Sequence, residues 1–380
     1  MSLPTVKRIE TFKYCVGWVN WVFVKVTDSD GAHGWGEASL HGPITPVLAA
    51  ITEYQAHLVG QEATGPERHW HRLYNAWRWR GGAVYMTALS AIDTAMWDLE
   101  ARRLGVPVYR LLGGPHRTKL PVYASHWLQG VLTPEAAYEK AQEAMRRGFR
   151  GFKWCPFDYE LLRSDFHGSI TRVRELMAAA REGAGPAAEI YIECSELLSP
   201  RTAPIMIDAL LPFRPAWIEE PFPFENAKAI ARLQAESPIP VAVGERLLSR
   251  YEFRELLESG GCRVVQPDIM HGGGFTELRR IAALADTYQV LVAPHNPGGP
   301  ICTAASMHLA AAVPNFLVLE QIEPDRELRD RASTNPIALK DGHFHLSDLP
   351  GLGLEPKLDA LADYQGGDAP RHERGGSLYH

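Results

Sequence analysis

The sequence predicts an α/β fold, a parallel (β/α) barrel preceded by an α+β capping domain. Three observations predict it. From Leu120 onward, eight short apolar stretches alternate strictly with seven helical ones, a rhythm that only parallel strands with crossover helices produce. Before that point the chain reads as hairpin and helix rather than as βα units. No GxGxxG or phosphate-binding glycine loop follows any strand, so the competing reading, an open doubly wound sheet, lacks its usual support.

The elements can be justified in order. Val22-Phe23-Val24-Lys25-Val26 is an alternating, β-branched strand, Asp28-Ser29-Asp30-Gly31 a turn, and Gly34-Trp35-Gly36-Glu37 the return. Leu89, Ile92, Ala95, Met96 and Leu99 follow helical spacing within 87–104, and Gly105-Val106-Pro107 stops that helix. Residues 1–118 are read as the capping domain. The barrel, 119–350, opens with the strand Val122-Tyr123-Ala124. A helix then starts at Thr133-Pro134-Glu135, with Thr as N-cap and Pro at the first helical position, and closes at Gly148. Strands are expected at 151–154, 190–192, 216–218, 241–243, 264–266, 290–293 and 316–319, each preceded by a helix. The segment 351–380 is expected to return to the capping domain, with a flexible glycine-containing end.

Composition narrows the function. A chain of 380 residues with 46% hydrophobic content can bury a large core. Its net charge of −6 argues against nucleic-acid and membrane-surface partners. Five cysteines without CxxC spacing argue against a disulfide framework and against structural zinc. Reduced thiols, no apolar leader and no long apolar run fit a cytoplasmic protein without a membrane span.

Barrel enzymes place their chemistry where the strands end. Here an ionisable residue ends seven consecutive strands: Lys153, Glu193, Glu219 (with Glu220), Glu245, Asp268, His295 and Glu320. From Glu193 the members stand 26, 26, 23, 27 and 25 positions apart, each about one βα unit. Any one of them alone could be a solvated carboxylate at a loop. Seven in register would face one cleft, and adjacent carboxylates there require a cation. Oxygen-only ligands suit Mg²⁺, or Mn²⁺, better than zinc. Such a cation would bind a substrate carboxylate and stabilise the enediolate left when the neighbouring carbon loses its proton.

These residues, with Ala88-Leu89-Ser90-Ala91-Ile92-Asp93, Trp97-Asp98, Leu111-Leu112-Gly113-Gly114, Trp217-Ile218-Glu219-Glu220-Pro221 and Pro267-Asp268, resemble the enolase superfamily in its mandelate racemase subgroup. The likeness spans nearly the whole chain and implies a TIM-like barrel. It implies Glu193, Glu219 and Glu245 as metal ligands, with Glu219 chosen over Glu220. It implies His295 as general base oriented by Asp268, and Glu320 as an acid that hydrogen-bonds the substrate carboxylate and must be protonated to donate. Lys153 would hold the substrate carboxylate or tune charge. A small-molecule carboxylate substrate and a homo-oligomer are further implications.

The chain also departs from the family pattern. Many members carry Lys-x-Lys on strand two, where this chain has Lys153-Trp154-Cys155, so a two-base racemase loses its second base. Some sugar-acid dehydratases carry His two residues after the strand-three ligand, where this chain has Ser195. Glu196, His126 or a bound water could serve instead. His295-Asn296-Pro297-Gly298-Gly299-Pro300 is similar to acid-sugar dehydratases. The leading expectation is therefore dehydration of an aldonate or aldarate to a 2-keto-3-deoxy acid. Racemase, epimerase or cycloisomerase chemistry is the alternative, and a non-catalytic metal-binding barrel is the remote one. His126, His271 and Trp21 are candidate substrate contacts, the last with Trp18 and His41 on capping loops. Core packing is the competing reading for the tryptophans.

Overall fold

The computed structural model describes residues 3–42 and 44–367. Three antiparallel strands come first: β1 (Val6–Cys15), β2 (Asn20–Asp28) and β3 (His33–Glu37). Helices α1 (Ile44–Leu58), α2 (Pro66–Tyr74), α3 (Ala83–Leu104) and the short α4 (Val108–Leu111) follow. Helix α3 is apolar nearly all round because it is sandwiched between this sheet and the barrel. Two glycines make the sheet side possible. A Cβ at Gly36 would stand 1.9 Å from the Ala91 carbonyl oxygen, and one at Gly34 would stand 2.2 Å from that of Ala95. On the other side Asp93 accepts from both the amide and the hydroxyl of Thr276, at 3.0 and 2.6 Å, and Trp97 donates to the same hydroxyl at 2.9 Å.

The barrel elements then follow: β4 (Lys119–Ser125), α5 (Pro134–Arg146), β5 (Gly151–Trp154), α6 (Tyr159–Ser164), α7 (Phe166–Ala184) and β6 (Glu189–Glu193), with two helices between β5 and β6 where the sequence implies one. Next come α8 (Thr202–Leu210), β7 (Trp217–Glu219), α9 (Ala227–Glu236), β8 (Val241–Val243), α10 (Arg250–Glu258) and β9 (Val264–Val265). Helix α11 (Gly274–Thr287), β10 (Leu291–Val292), α12 (Pro300–Ala312) and β11 (Leu319–Ile322) complete the series. Thr133 caps α5 as expected, accepting from the Ala136 amide. Strands β4 to β10 pair in parallel in chain order, and β11 pairs with β4. Between β10 and β11 the ring has one parallel bridge, Val292 to Phe316, with no continuous ladder.

That gap corrects the expected eighth strand. The apolar run at 316–319 divides: Phe316 pairs with β10, while pairing with β4 begins at Leu319, so Glu320 lies inside the strand rather than after it. The sequence reading also missed a hairpin after α13 (Arg326–Arg331). Strands β12 (Leu339–Lys340) and β13 (His343–His345) pair with each other, and β13 joins β4 antiparallel. Asp341-Gly342 between them, both at positive φ (50° and 71°), is the turn chemistry that could have revealed it.

Inside the barrel Tyr123, Tyr191 and Trp217 form a floor, Tyr191 lying 4.0 Å from Trp217 and 4.7 Å from Tyr123 between ring centroids. Beyond the barrel the chain runs back along α3. Leu352 donates to Asp98 at 2.7 Å, Arg102 pairs with Glu355 at 2.6 Å, and Gln365 bridges Tyr14 on β1. Residues 368–380 of the expected returning segment, including its glycine-containing end, lie outside the described residues. Among the described residues no helix is long and apolar enough to cross a membrane.

Candidate metal and acid–base site

Glu193 ends β6, Glu219 ends β7, and Glu245 stands two residues beyond β8. One carboxylate oxygen from each lies within 4.8 Å of the others. Glu219 is fully buried, and the Trp217 indole of the barrel floor donates to it at 2.9 Å. Burial first, and the neighbouring Glu193 charge after the opposing Lys153, push the Glu219 carboxyl well above the usual range. A buried carboxyl held this way among other carboxylates gains most from added positive charge. The donor set is all oxygen and open on the cleft side, so these residues fit a divalent cation. Glu220, at φ 40°, turns the other way, accepting from the Gly244 amide at 2.8 Å and pairing with Arg246 at 3.2 Å.

Lys153 sits inside this acidic ring. Its ammonium is 2.5 Å from Glu219, 2.9 Å from Glu320 and 3.8 Å from Glu193. Burial opposes its charge, but Glu219 and Glu320 outweigh burial and hold it protonated. The same pairing corrects the expectation that Glu320 is a protonated donor. Burial would raise its carboxyl, yet Lys153, His295, the Ser125 hydroxyl and the Asn296 amide together hold it well below the usual range. Glu320 is an ionised acceptor here, with the Asn296 amide at 2.9 Å.

Across the cleft, a parallel bridge joins Asp268 to His295 and sets the side chains together, His295 Nδ1 lying 2.8 Å from Asp268 Oδ2. Asp268 is fully buried and also accepts from the Met270 amide at 2.7 Å. His295 Nε2 faces the cleft, 3.4 Å from Glu245. Burial pulls the imidazole down, but Glu245 first and then Asp268 push it up to about 10. In turn, Glu245 is lowered despite burial, by His295 and then Arg246.

The remaining expected contacts fall in different places. His271 is largely buried at the seam with the capping domain, its Nδ1 2.8 Å from the Thr87 hydroxyl and its Nε2 3.8 Å from Asp268. Trp21 has no accessible surface. It packs 6.2 Å from Phe23 and 5.6 Å from the Arg329 guanidinium, which corrects its reading as a substrate contact. Trp18 is the half-buried capping tryptophan at the cleft, its ring stacked 5.4 Å from that of His126 and edge-on to His41.

Two site residues escaped the sequence reading. Arg246, immediately after Glu245, ties Glu196 (2.6 Å), Glu220 (3.2 Å) and Glu245 (3.5 Å) into one rim. Glu37, at the end of β3, reaches from the capping domain to accept from the Gly299 and Cys302 amides at 2.5 and 2.9 Å. It caps α12 and so braces the His295–Pro300 loop. A charged residue closing a buried strand was its only sequence signal.

Three carboxylates that could hold a metal ion converge opposite a histidine–aspartate pair, at the carboxyl ends of parallel barrel strands. Comparison with known proteins agrees. Residues 136–360 match the family described as enolase C-terminal domain-like, and residues 4–113 match the mandelate racemase / muconate lactonizing enzyme N-terminal domain. D-galactonate dehydratases of Pectobacterium atrosepticum and Ralstonia pickettii are each 37% identical over 88% of this chain and 88% of their own length. An enolase from Agrobacterium radiobacter, solved with sodium and L-malate bound, superposes with a TM-score of 0.90 at 32% identity, covering 97% of this chain and 96% of its own. A mandelate racemase/muconate lactonizing enzyme-like protein from Rubrobacter xylanophilus gives 0.90 at 32%, covering 97% and 99%. The chain belongs to the mandelate racemase / muconate lactonizing enzyme family of the enolase superfamily.

Proposed function

We propose that this chain is a divalent-cation-dependent hydro-lyase that dehydrates an aldonic acid, D-galactonate being the first candidate, to a 2-keto-3-deoxy acid. The observation that carries the reading is the convergence of Glu193, Glu219 and Glu245 opposite the His295–Asp268 pair. The names of the 37% identical relatives support the substrate class.

Glu193, Glu219 and Glu245 would hold the cation, Mg²⁺ ahead of Mn²⁺. When bound, it supplies the positive charge that makes the proton beside the substrate carboxylate acidic. Asp268 keeps the His295 proton on Nδ1 and leaves the Nε2 lone pair for that α-proton. Glu245 is the main charge raising His295, and it is also one of the ligands, so its charge is engaged elsewhere in the loaded enzyme. Lys153 meets the negative charge that develops on the substrate carboxylate. The C3–oxygen bond then breaks, and the hydroxide leaves as water with the proton returned by His295. The enol that remains becomes the 2-keto acid. Cys155, where a second lysine would stand, is half-buried, and desolvation pushes its thiol up to about 12, so it offers no second base, and a one-base elimination is favoured over racemisation.

The test is incubation of purified protein with Mg²⁺ and D-galactonate in D₂O, following 2-keto acid formation and α-proton exchange together. Keto acid is the expected product. Exchange or an epimer without keto acid would replace the dehydratase reading with an isomerase. A homo-oligomer, implied by the family resemblance, and a cytoplasmic location, inferred from the unpaired cysteines and the lack of a long apolar run, are checked by sedimentation and cell fractionation.

A further inference from the structure

The proposed elimination leaves one polar group at the cleft without a task. His126 immediately follows β4, on the opposite side of β11 from His295. Its backbone is left-handed, φ 59°, a conformation uncommon for a residue with a side chain and typical of positions held for a purpose. The ring is fixed on two sides. Nδ1 lies 3.0 Å from the Ser125 hydroxyl, and Trp18 stacks on its face with the ring planes 28° apart. Nε2 has no protein partner among the described residues and is not sealed from solvent. It stands at the carboxyl end of β4, whose neighbours are β11 with Glu320 and β5 with Lys153, and so at the same cleft.

Nδ1 and the Ser125 hydroxyl share one hydrogen bond in which either can donate, so Nε2 is the ring nitrogen left for a substrate group, as acceptor or as N–H donor. Burial ahead of all else, reinforced by Lys153 and His295, pulls the imidazole down to about 4, so the ring is neutral at pH 7. A neutral ring is unsuited to protonating a leaving hydroxyl, and it is suited to sharing a hydrogen bond with a hydroxyl that stays. The rival polar side chain on the rim, Ser195, is occupied: its hydroxyl donates to Glu193 at 3.1 Å.

We propose that His126 Nε2 shares a hydrogen bond with a substrate hydroxyl beyond the reacting carbons, with Trp18 as the aromatic wall that holds the ring, and that this pair selects among sugar-acid epimers. The inference rests on the aldonate reading above. A site built to pair a hydroxyl rejects an epimer that leaves its polar partner unmatched.

The experiment compares the wild type with His126→Leu and His126→Gln, Mg²⁺-loaded, on D-galactonate and its C4 epimer D-gluconate. His126→Leu is expected to raise KM about tenfold while kcat stays within about threefold, and to bring the kcat/KM ratio of the two epimers toward one. His126→Gln, whose amide can accept or donate, should recover most of the affinity. An unchanged KM and ratio in His126→Leu would overturn the inference and leave the dehydratase intact. A loss of kcat alone, shared by Leu and Gln, would also overturn it, in favour of a role in the chemistry or in folding. A wild type that dehydrates neither acid would overturn the aldonate reading and this inference with it.

Discussion

Replacing Asp268 by Asn tests the acid–base assignment with little change of shape. Asp268 accepts two hydrogen bonds, from the Met270 amide at 2.7 Å and from His295 Nδ1 at 2.8 Å. An asparagine cannot accept both through the same pair of atoms. With its oxygen toward Met270, its NH₂ faces His295 Nδ1, which must then be the lone pair, and the ring proton moves to Nε2. That blocks the nitrogen facing the substrate. With the amide reversed, NH₂ meets the Met270 N–H, and two buried donors oppose each other at a cost of about 1–3 kcal/mol. The blocked tautomer is therefore favoured roughly 5- to 150-fold, and the lost carboxylate charge lowers the basicity of the remainder. Together these predict a fall in kcat of about 10³, or about 4 kcal/mol, with KM within about threefold. Because Asp268 is not among the converging carboxylates, cation affinity should be unchanged. The assay is α-proton exchange of D-galactonate in D₂O alongside calorimetric Mg²⁺ titration. Exchange within about fivefold of wild type would refute the assignment and move the base away from His295.

Glu219→Ala should abolish Mg²⁺ binding, because it removes the one wholly buried oxygen donor and leaves Lys153 against the two remaining ligands; calorimetric affinity near wild type would end the metal assignment. Glu37→Gln keeps one acceptor for the α12 amides and should cost about 1–3 kcal/mol in urea unfolding, with kcat falling more than KM changes because the His295 loop loses its brace. Gly36→Ala drives a methyl into the Ala91 carbonyl and should destabilise by roughly 3 kcal/mol or more, since backbone lies on both sides; a midpoint equal to wild type would refute the close approach. Asp93 is pushed up to about 7, by burial ahead of the opposing Thr276 hydrogen bonds, so the folded state holds its proton more tightly than the unfolded chain does. The sign follows: its contribution is fully present below about pH 4 and is lost as pH rises through 7, up to roughly 4 kcal/mol. Urea unfolding at pH 5 and 8 should show the wild type losing more stability than Asp93→Asn over that interval, and parallel losses would refute it.

The barrel strands were legible because parallel strands are buried on both faces and so read as unbroken apolar runs, as Val241–Val243 does. The residues after them were legible because strand ends fix position even where loops vary. Beyond that, the sequence reading stops for physical reasons. Glu320 was expected to be protonated because carboxylates crowd it, but its ionisation is decided by an ammonium 2.9 Å away, on a strand 167 positions earlier in the chain. Glu37 and Gly299 are separated by 262 residues, and no local pattern announces their bond. Trp21 and Trp18 are three positions apart and chemically alike. The strand carries one into the core, while the loop between β1 and β2 leaves the other at the cleft.

That last contrast bears on how specificity is built. The barrel supplies the converging carboxylates, the lysine and the histidine–aspartate pair from its own strands, and the tasks proposed for them lie at the carboxylate and the reacting carbons, which all sugar acids share. The capping domain reaches the cleft through two devices of different kind. Glu37 acts on backbone amides and sets the shape of the loop that carries His295, while Trp18 acts on a side chain, His126, that faces the substrate. Changes at the first should therefore alter turnover for every substrate alike, and changes at the second should alter the choice among substrates. A Trp18→Ala variant that lowered kcat on D-galactonate and D-gluconate equally, without shifting their ratio, would break that division of labour.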